Sequence, residues 1–248
     1  MKRVYTSSTI LFFLLHAFEG ISQSLIAEKD WKDTSSLKIE VWATQYYIYN
    51  TDVIYQKPGV ILKGEGISSL KLSIDTCAFC KAAIEGTMSI IDSAQNRIVL
   101  NYGGLNTSPL VDCSKCINNP LLNIDKLNRT LWIPAKGKFG DGVNGYQLVP
   151  FKSIAVDPQF IPIGSVIYIP ALSNRKFAIS GTDSLVHDGY FYSVDIGSAI
   201  KENHIDIFTG IFSSAFFPEI ITSNKNNTFT AYILTNQRMK NRLEIMHR

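Results

Sequence analysis

The sequence predicts a mainly β protein: a barrel assembled from distant parts of the chain, with a smaller β-rich region inserted near the middle. Three observations carry this. Short runs of β-branched and aromatic residues alternate with Gly, Pro and Asn, the pattern of strands between turns. No long helical period falls between Val60 and Asp141, where Gly64-Glu65-Gly66, Gly103-Gly104 and Asn118-Asn119-Pro120 punctuate the chain. Three short apolar runs, SIAVD, YSVD and HID, each end on an aspartate: Asp157, Asp195 and Asp206. A sheet holds an acid at a strand end while its carboxylate reaches a cleft, so three strands can bring three acids to one pocket.

The chain opens with a secretory signal peptide, Met1 to Ser24. Lys2 and Arg3 give a positive start, Ile10 to Phe18 is mostly apolar, and Ser22-Gln23-Ser24 supplies a small-residue cleavage site. The apolar run is too short to span a bilayer, and no later segment is long enough for a transmembrane helix. The remainder suffices for one large or two small domains, and an apolar share of 46% supports a real core. A net charge of +3 without a basic block interleaved with aromatics leaves no nucleic-acid footprint.

Leu37 to Asn50, LKIEVWATQYYIYN, is rich in β-branched and aromatic residues and is expected as a strand. Alternation puts Thr44 and Tyr46 on one face, Gln45 and Tyr47 on the other. Its aromatic side chains either pack in the core or offer flat faces to sugar rings.

The four cysteines form two pairs, Cys77-x-x-Cys80 and Cys113-x-x-Cys116. Four thiolates suit tetrahedral zinc, but the gap between the pairs exceeds the usual ribbon spacing. An exported chain meets an oxidising compartment. Disulfides linking the two pairs are the preferred reading, of undetermined connectivity, with Zn as the alternative.

Lys136 to Gly145 is a turn-rich loop. Pro158 and Pro162 lack a backbone donor and fit strand ends, and Ser165 to Pro170 is the next strand. Ser173 to Gly189 is the most loop-like piece, with His187 either exposed or at a cleft mouth. Tyr190 to Asp195 and His204 to Phe208 are strands. In HIDIF, His204, Asp206 and Phe208 share one face, a setting that can raise a carboxyl pKa by desolvation. Phe229 to Leu234 closes the fold, and residues 236–248 form a basic tail.

The pieces AVDP, IPIGSVIYIP, VDIGSAI and HIDIF, in that order, resemble the three-aspartate (3D) domain of the membrane-bound lytic transglycosylase A (MltA) family. The family pattern runs approximately AVD, IPLGT, DTGGAIKG and IDIF. Two departures stand out: Ser198 replaces the second Gly of DTGG, and Glu202-Asn203 replace the Gly after Lys201. A Cβ there disfavours left-handed backbone angles. The leader carries no Cys, unlike the lipid anchor associated with the family.

The resemblance implies a double-psi β-barrel over residues 25–235, with the insert at about 60–141. It implies a secreted or periplasmic, monomeric enzyme that needs no cofactor and acts on peptidoglycan glycan strands. The β-1,4 MurNAc-GlcNAc bond would be cut to a 1,6-anhydro-muramic product. Asp206 matches the catalytic position, with Asp195 as second acid and Asp157 supporting. ATQYY matches the strand that lines the family's cleft, so Thr44, Gln45, Tyr46 and Tyr47, with His187 and His204, are candidate substrate contacts. Two other readings stand beside it: a non-catalytic wall-polysaccharide binding module, and a disulfide-stapled envelope protein.

Overall fold

The computed structural model describes residues 36–54, 59–91, 96–179 and 184–248. The expected signal peptide lies outside the described residues. In chain order the elements are β1 (Leu37–Tyr46), β2 (Tyr49–Asp52), β3 (Val60–Ile61), β4 (Ser73–Ile74), α1 (Thr76–Glu85), β5 (Thr87–Ile91) and β6 (Arg97–Leu105). There follow α2 (Ile124–Asn128), β7 (Thr130–Pro134), β8 (Ser153–Ala155), β9 (Val166–Ala178), β10 (Ser184–Asp195), β11 (His204–Phe208), α3 (Pro218–Ile221), β12 (Phe229–Leu234) and α4 (Gln237–Met246).

Six strands close a barrel in the order β1-β11-β8-β10-β9-β12. β1 serves two neighbours: Leu37–Val41 pairs antiparallel with β12, and Trp42–Tyr46 runs parallel to β11. A second parallel pair joins β8 and β10. The two faces of the barrel wall carry separate cores. Val41, Ala43, Ile154, Ile167, Phe191, Ile205 and Ile207 belong to one cluster; Tyr46, Ala155, Val166, Tyr192 and Phe208 belong to the other. The alternation expected for HIDIF is therefore present.

The chain between β1 and β8 builds its own four-stranded sheet, β2-β5-β6-β7. Its core gathers Leu62, Ile74, Phe79, Met88, Leu100 and Trp132. Leu37–Asn50 is not one continuous strand. The chain leaves the barrel after Tyr46, Ile48 N–H bonds to the Gly210 carbonyl at 2.7 Å, and β2 then pairs in parallel with β5. The inserted sheet thus begins at Tyr49, earlier than the sequence suggested.

The insert also contains a helix that the sequence reading missed. Asp75 caps α1, accepting from Cys77 N–H at 2.9 Å and Ala78 N–H at 3.0 Å. Gly86, at φ 73°, ends it. Cys77 and Cys80, three apart, lie on one side of this helix and bond to Cys116 and Cys113 respectively. The disulfides link the two pairs, as preferred.

One further expectation is corrected. Ser173 to Gly189 is not mainly loop: β9 runs to Ala178 and β10 starts at Ser184, because strand pairing there satisfies a polar backbone stretch. The basic tail, residues 236–248, is mostly helix. Asn236 caps α4 through Met239 N–H at 2.9 Å, and Met239, Leu243 and His247, four apart, are buried while Arg238 and Lys240 face solvent.

Candidate active site

Parallel pairing of β1 with β11 sets Thr44 beside Asp206 and Trp42 beside His204. Thr44 Oγ1 lies 2.7 Å from Asp206 Oδ1 and 2.9 Å from His204 Nε2. The His204 ring stacks on Trp42, centroids 3.5 Å apart and planes within 7°. Two residues along β1, the buried Tyr46 donates its hydroxyl to Asp195 Oδ2 at 2.9 Å. Asp195 Oδ1 accepts from Ile196 N–H at 2.9 Å. One face of one strand therefore holds both acids.

Burial dominates the electrostatics. Desolvation raises the Asp206 carboxyl to about 7, opposed by the Thr44 bond and reinforced by the charges of Glu85 and Asp195. Desolvation likewise raises Asp195 to about 6, against the bonds from Ile196 and Tyr46. Both Asp195 oxygens are engaged, whereas among the described residues Asp206 Oδ2 accepts no donor. Asp206 is thus the acid with a free oxygen and a proton near neutral pH.

Asp157 is different. Its carboxylate accepts from Glu202 N–H at 2.9 Å and Gln159 N–H at 3.0 Å, and these bonds hold it below the usual carboxylate range. It braces the loop before β11 and does not join the other two acids.

The remaining candidates separate. Thr44 and Tyr46 bond to the acids, and His204 bonds to Thr44. Gln45 instead points the other way, bonding to Ser214 O at 2.9 Å and accepting from Phe216 N–H at 3.2 Å. Tyr47 contributes its backbone N–H, 3.1 Å from Glu85 Oε2. His187 is not at a cleft mouth: it is buried, with Nε2 2.7 Å from the Phe151 carbonyl and Nδ1 accepting from Gly189 N–H at 2.8 Å. Phe177, Phe191 and Phe217 surround it. It lies beside Asp188, which forms a part-buried ion pair with Lys152.

A cleft of about 630 Å³ opens between the barrel and the insert. Asp195, Ile196, Ser198 and Lys201 line one side, and Glu85, Tyr102 and Ile133 are on its wall from the insert. Asp206, partly exposed, stands on β11, separated from Asp195 on β10 by β8, and is not among the residues that line the cavity. Glu85 was not foreseen. Burial raises its carboxyl to about 7 as well, and the Tyr47 N–H bond counters only part of this. A signal existed in the sequence: Asp75 and Gly86 bracket a helix-length segment, and an acid in its last turn opposes the helix dipole. Among the described residues no cluster of His, Cys, Asp and Glu could hold a metal ion.

Residues 152–217, which contain Asp157, Asp195 and Asp206, match the family model of the 3D domain. The chain carries a 3D domain. The 3D segment supplies β8 to β11, and β1 and β12 complete its barrel from outside the matched residues. No curated protein matches the chain.

Among solved structures, Escherichia coli MltA with bound chitohexaose is similar at 16% identity and a TM-score of 0.50, over 78% of this chain and 71% of that one. A membrane-bound lytic murein transglycosylase from Agrobacterium tumefaciens is 14% identical, over 93% of this chain and 86% of that one, with a TM-score of 0.45. The lytic transglycosylase LtgG of Burkholderia pseudomallei is 16% identical, over 80% and 71%, with a TM-score of 0.41. The first of these likenesses establishes an MltA-like fold for the 3D-domain protein.

Proposed function

We propose that this 3D-domain protein is a peptidoglycan lytic transglycosylase that cleaves the β-1,4 MurNAc-GlcNAc bond. The observation that carries the reading is the setting of Asp206, bonded to Thr44 with its Oδ2 open and Asp195 near it, where desolvation raises its carboxyl to about 7. Glycosidases that use water need two carboxyl groups in complementary roles. A transglycosylase needs fewer, because the muramic acid C6 hydroxyl is its nucleophile. Asp206 gives its proton to the leaving glycosidic oxygen as the C1–O bond breaks. The C6 oxygen then bonds to C1, and the resulting carboxylate takes the hydroxyl proton, leaving 1,6-anhydro-muramic acid and the acid restored.

Asp195, held by Tyr46, supports this by its partial charge near Asp206. The cleft suits a glycan chain: Tyr102, Ile133 and Ile196 present exposed apolar surface along it. That MltA was solved with chitohexaose is in keeping with a glycan ligand here. The two parallel strand pairs, β1–β11 and β8–β10, accord with a double-psi barrel. Two disulfides fit an oxidising compartment outside the cytoplasm, with export by the Met1–Ser24 leader and action as a monomer without cofactor.

The test is product analysis. Protein beginning at Leu25 is incubated with peptidoglycan and the products are read by mass spectrometry, beside Asp206→Asn. Anhydro-muropeptides from the wild type and none from the variant are expected. Products with free reducing ends would make it a hydrolase. Glycan bound without product would favour the binding-module reading.

A further inference from the structure

The insert turns one open acceptor toward the cleft. Glu85 is the last residue of α1, and its Oε2 accepts from Tyr47 N–H at 3.1 Å where the chain crosses from β1 into the insert. Both disulfides tie α1 to the Cys113–Cys116 segment, so the carboxyl rides on a fixed support. Among the described residues Glu85 Oε1 accepts no donor. The other carboxyls on the cleft wall are engaged at both oxygens. Asp141 accepts from Lys136 N–H at 2.8 Å and Gly137 N–H at 2.6 Å. Asp195 accepts from Tyr46 and Ile196. Asn101 exchanges two bonds with the Asp141 backbone. Lys126 and Lys201 line the cleft as donors only, and Ser198 offers a hydroxyl, a weaker acceptor than a carboxylate.

Apolar surface lies close to this acceptor. Tyr102 N–H bonds to the Gly86 carbonyl at 2.8 Å, which sets Tyr102 against the end of α1. Tyr102 and Ile133 are exposed on the cleft wall. An N-acetyl group joins an N–H donor to a methyl, and this wall joins an acceptor to apolar side chains. We propose that Glu85 selects N-acetylated sugars: its Oε1 accepts the amide N–H of an N-acetyl group whose methyl packs on Tyr102 and Ile133. The bond to Tyr47 leaves Oε1 as the oxygen that faces the ligand.

The inference rests on the cleft taking a glycan, but its test needs no turnover. Calorimetry at pH 8, above the value of about 7 to which burial raises Glu85, uses protein beginning at Leu25 with Asp206→Asn. The ligands are chitohexaose and cellohexaose, which has a hydroxyl in place of each N-acetyl group. Chitohexaose should bind several-fold tighter; equal affinity, or no binding, overturns the proposal. Glu85→Gln is then added. Glutamine has a single acceptor oxygen. Tyr47 N–H holds it, so an NH₂ faces the cleft and meets the amide N–H donor to donor, whereas a sugar hydroxyl can accept from it. Chitohexaose affinity should fall by about tenfold or more, a bond to a charged acceptor being lost, while cellohexaose affinity holds within about twofold. An equal fall for both sugars, or no fall for chitohexaose, overturns the proposal. If the variant does not fold, the comparison of the two sugars on the parent protein decides alone. Selective chitohexaose binding without any anhydro product from the wild type would refute the transglycosylase reading and leave this one standing.

Discussion

Asp157 Oδ2 accepts the backbone N–H of Glu202, and Glu202 lies at φ 55°, in the left-handed region. The family pattern places Gly in this stretch, where no Cβ penalty arises. The carboxylate of Asp157 therefore holds a strained turn immediately before β11. Glu202→Gly should raise stability by about 0.5–1 kcal/mol, and Asp157→Ala should lower it. Urea unfolding of the two variants checks both signs.

Thr44 provides the donor available to ionised Asp206. Thr44→Val removes it, so the charged form loses stabilisation and the Asp206 pKa rises above its value of about 7. The rate of product formation should fall off above pH 7 in the wild type, since the acid is then discharged. In Thr44→Val that alkaline limb should move to higher pH, with a lower plateau. A pH–rate profile of both proteins makes the comparison.

Glu85 reaches Asp206 from the insert as a like charge. Glu85→Gln keeps an acceptor for Tyr47 N–H while removing that charge. The Asp206 midpoint should then fall, and the alkaline limb should move to lower pH, opposite to Thr44→Val. Carboxyl NMR titration reads the shift directly.

Three raised carboxyls, Glu85, Asp195 and Asp206, have a stability consequence. Between the ordinary carboxylate range and about pH 7 the folded state binds more protons than the unfolded one. These groups therefore make unfolding easier as pH rises through that window. Buried His187 and His247, lowered to about 3 and about 4, act in the opposite sense. The variant comparison isolates one group: Asp206→Asn should be more stable than wild type at pH 8 by roughly 1–3 kcal/mol, the partial exposure of the site reducing the full effect. The difference should vanish near pH 4. Thermal melts across this range test it.

Each disulfide ties α1 to the Cys113–Cys116 segment, at separations of 39 and 33 residues. Opening the outer one, as in Cys77→Ser with Cys116→Ser, leaves the nested Cys80–Cys113 bridge closed and should cost about 2–3 kcal/mol from loop entropy. The loss should fall first on the insert, whose core includes Cys80, Cys113 and Trp132. Hydrogen exchange of the insert amides locates it.

The sequence by itself determined the β class, the strand ends bearing Asp157, Asp195 and Asp206, the face shared by Thr44 and Tyr46, and the closing strand Phe229–Leu234. These follow from a period of two and from local turn chemistry, which a chain carries in neighbouring residues. It did not yield α1, because the capping pair Asp75 and Gly86 encloses a helix too short for a clear apolar period. Tertiary structure alone decided the rest. It chose which cysteines pair, buried His187 among phenylalanines, and carried Glu85 from the insert to the cleft. Those outcomes depend on contacts between residues far apart in the chain. The desolvation that raises Asp206 arises from the same contacts, so a motif could name the acid while only packing could give it a proton.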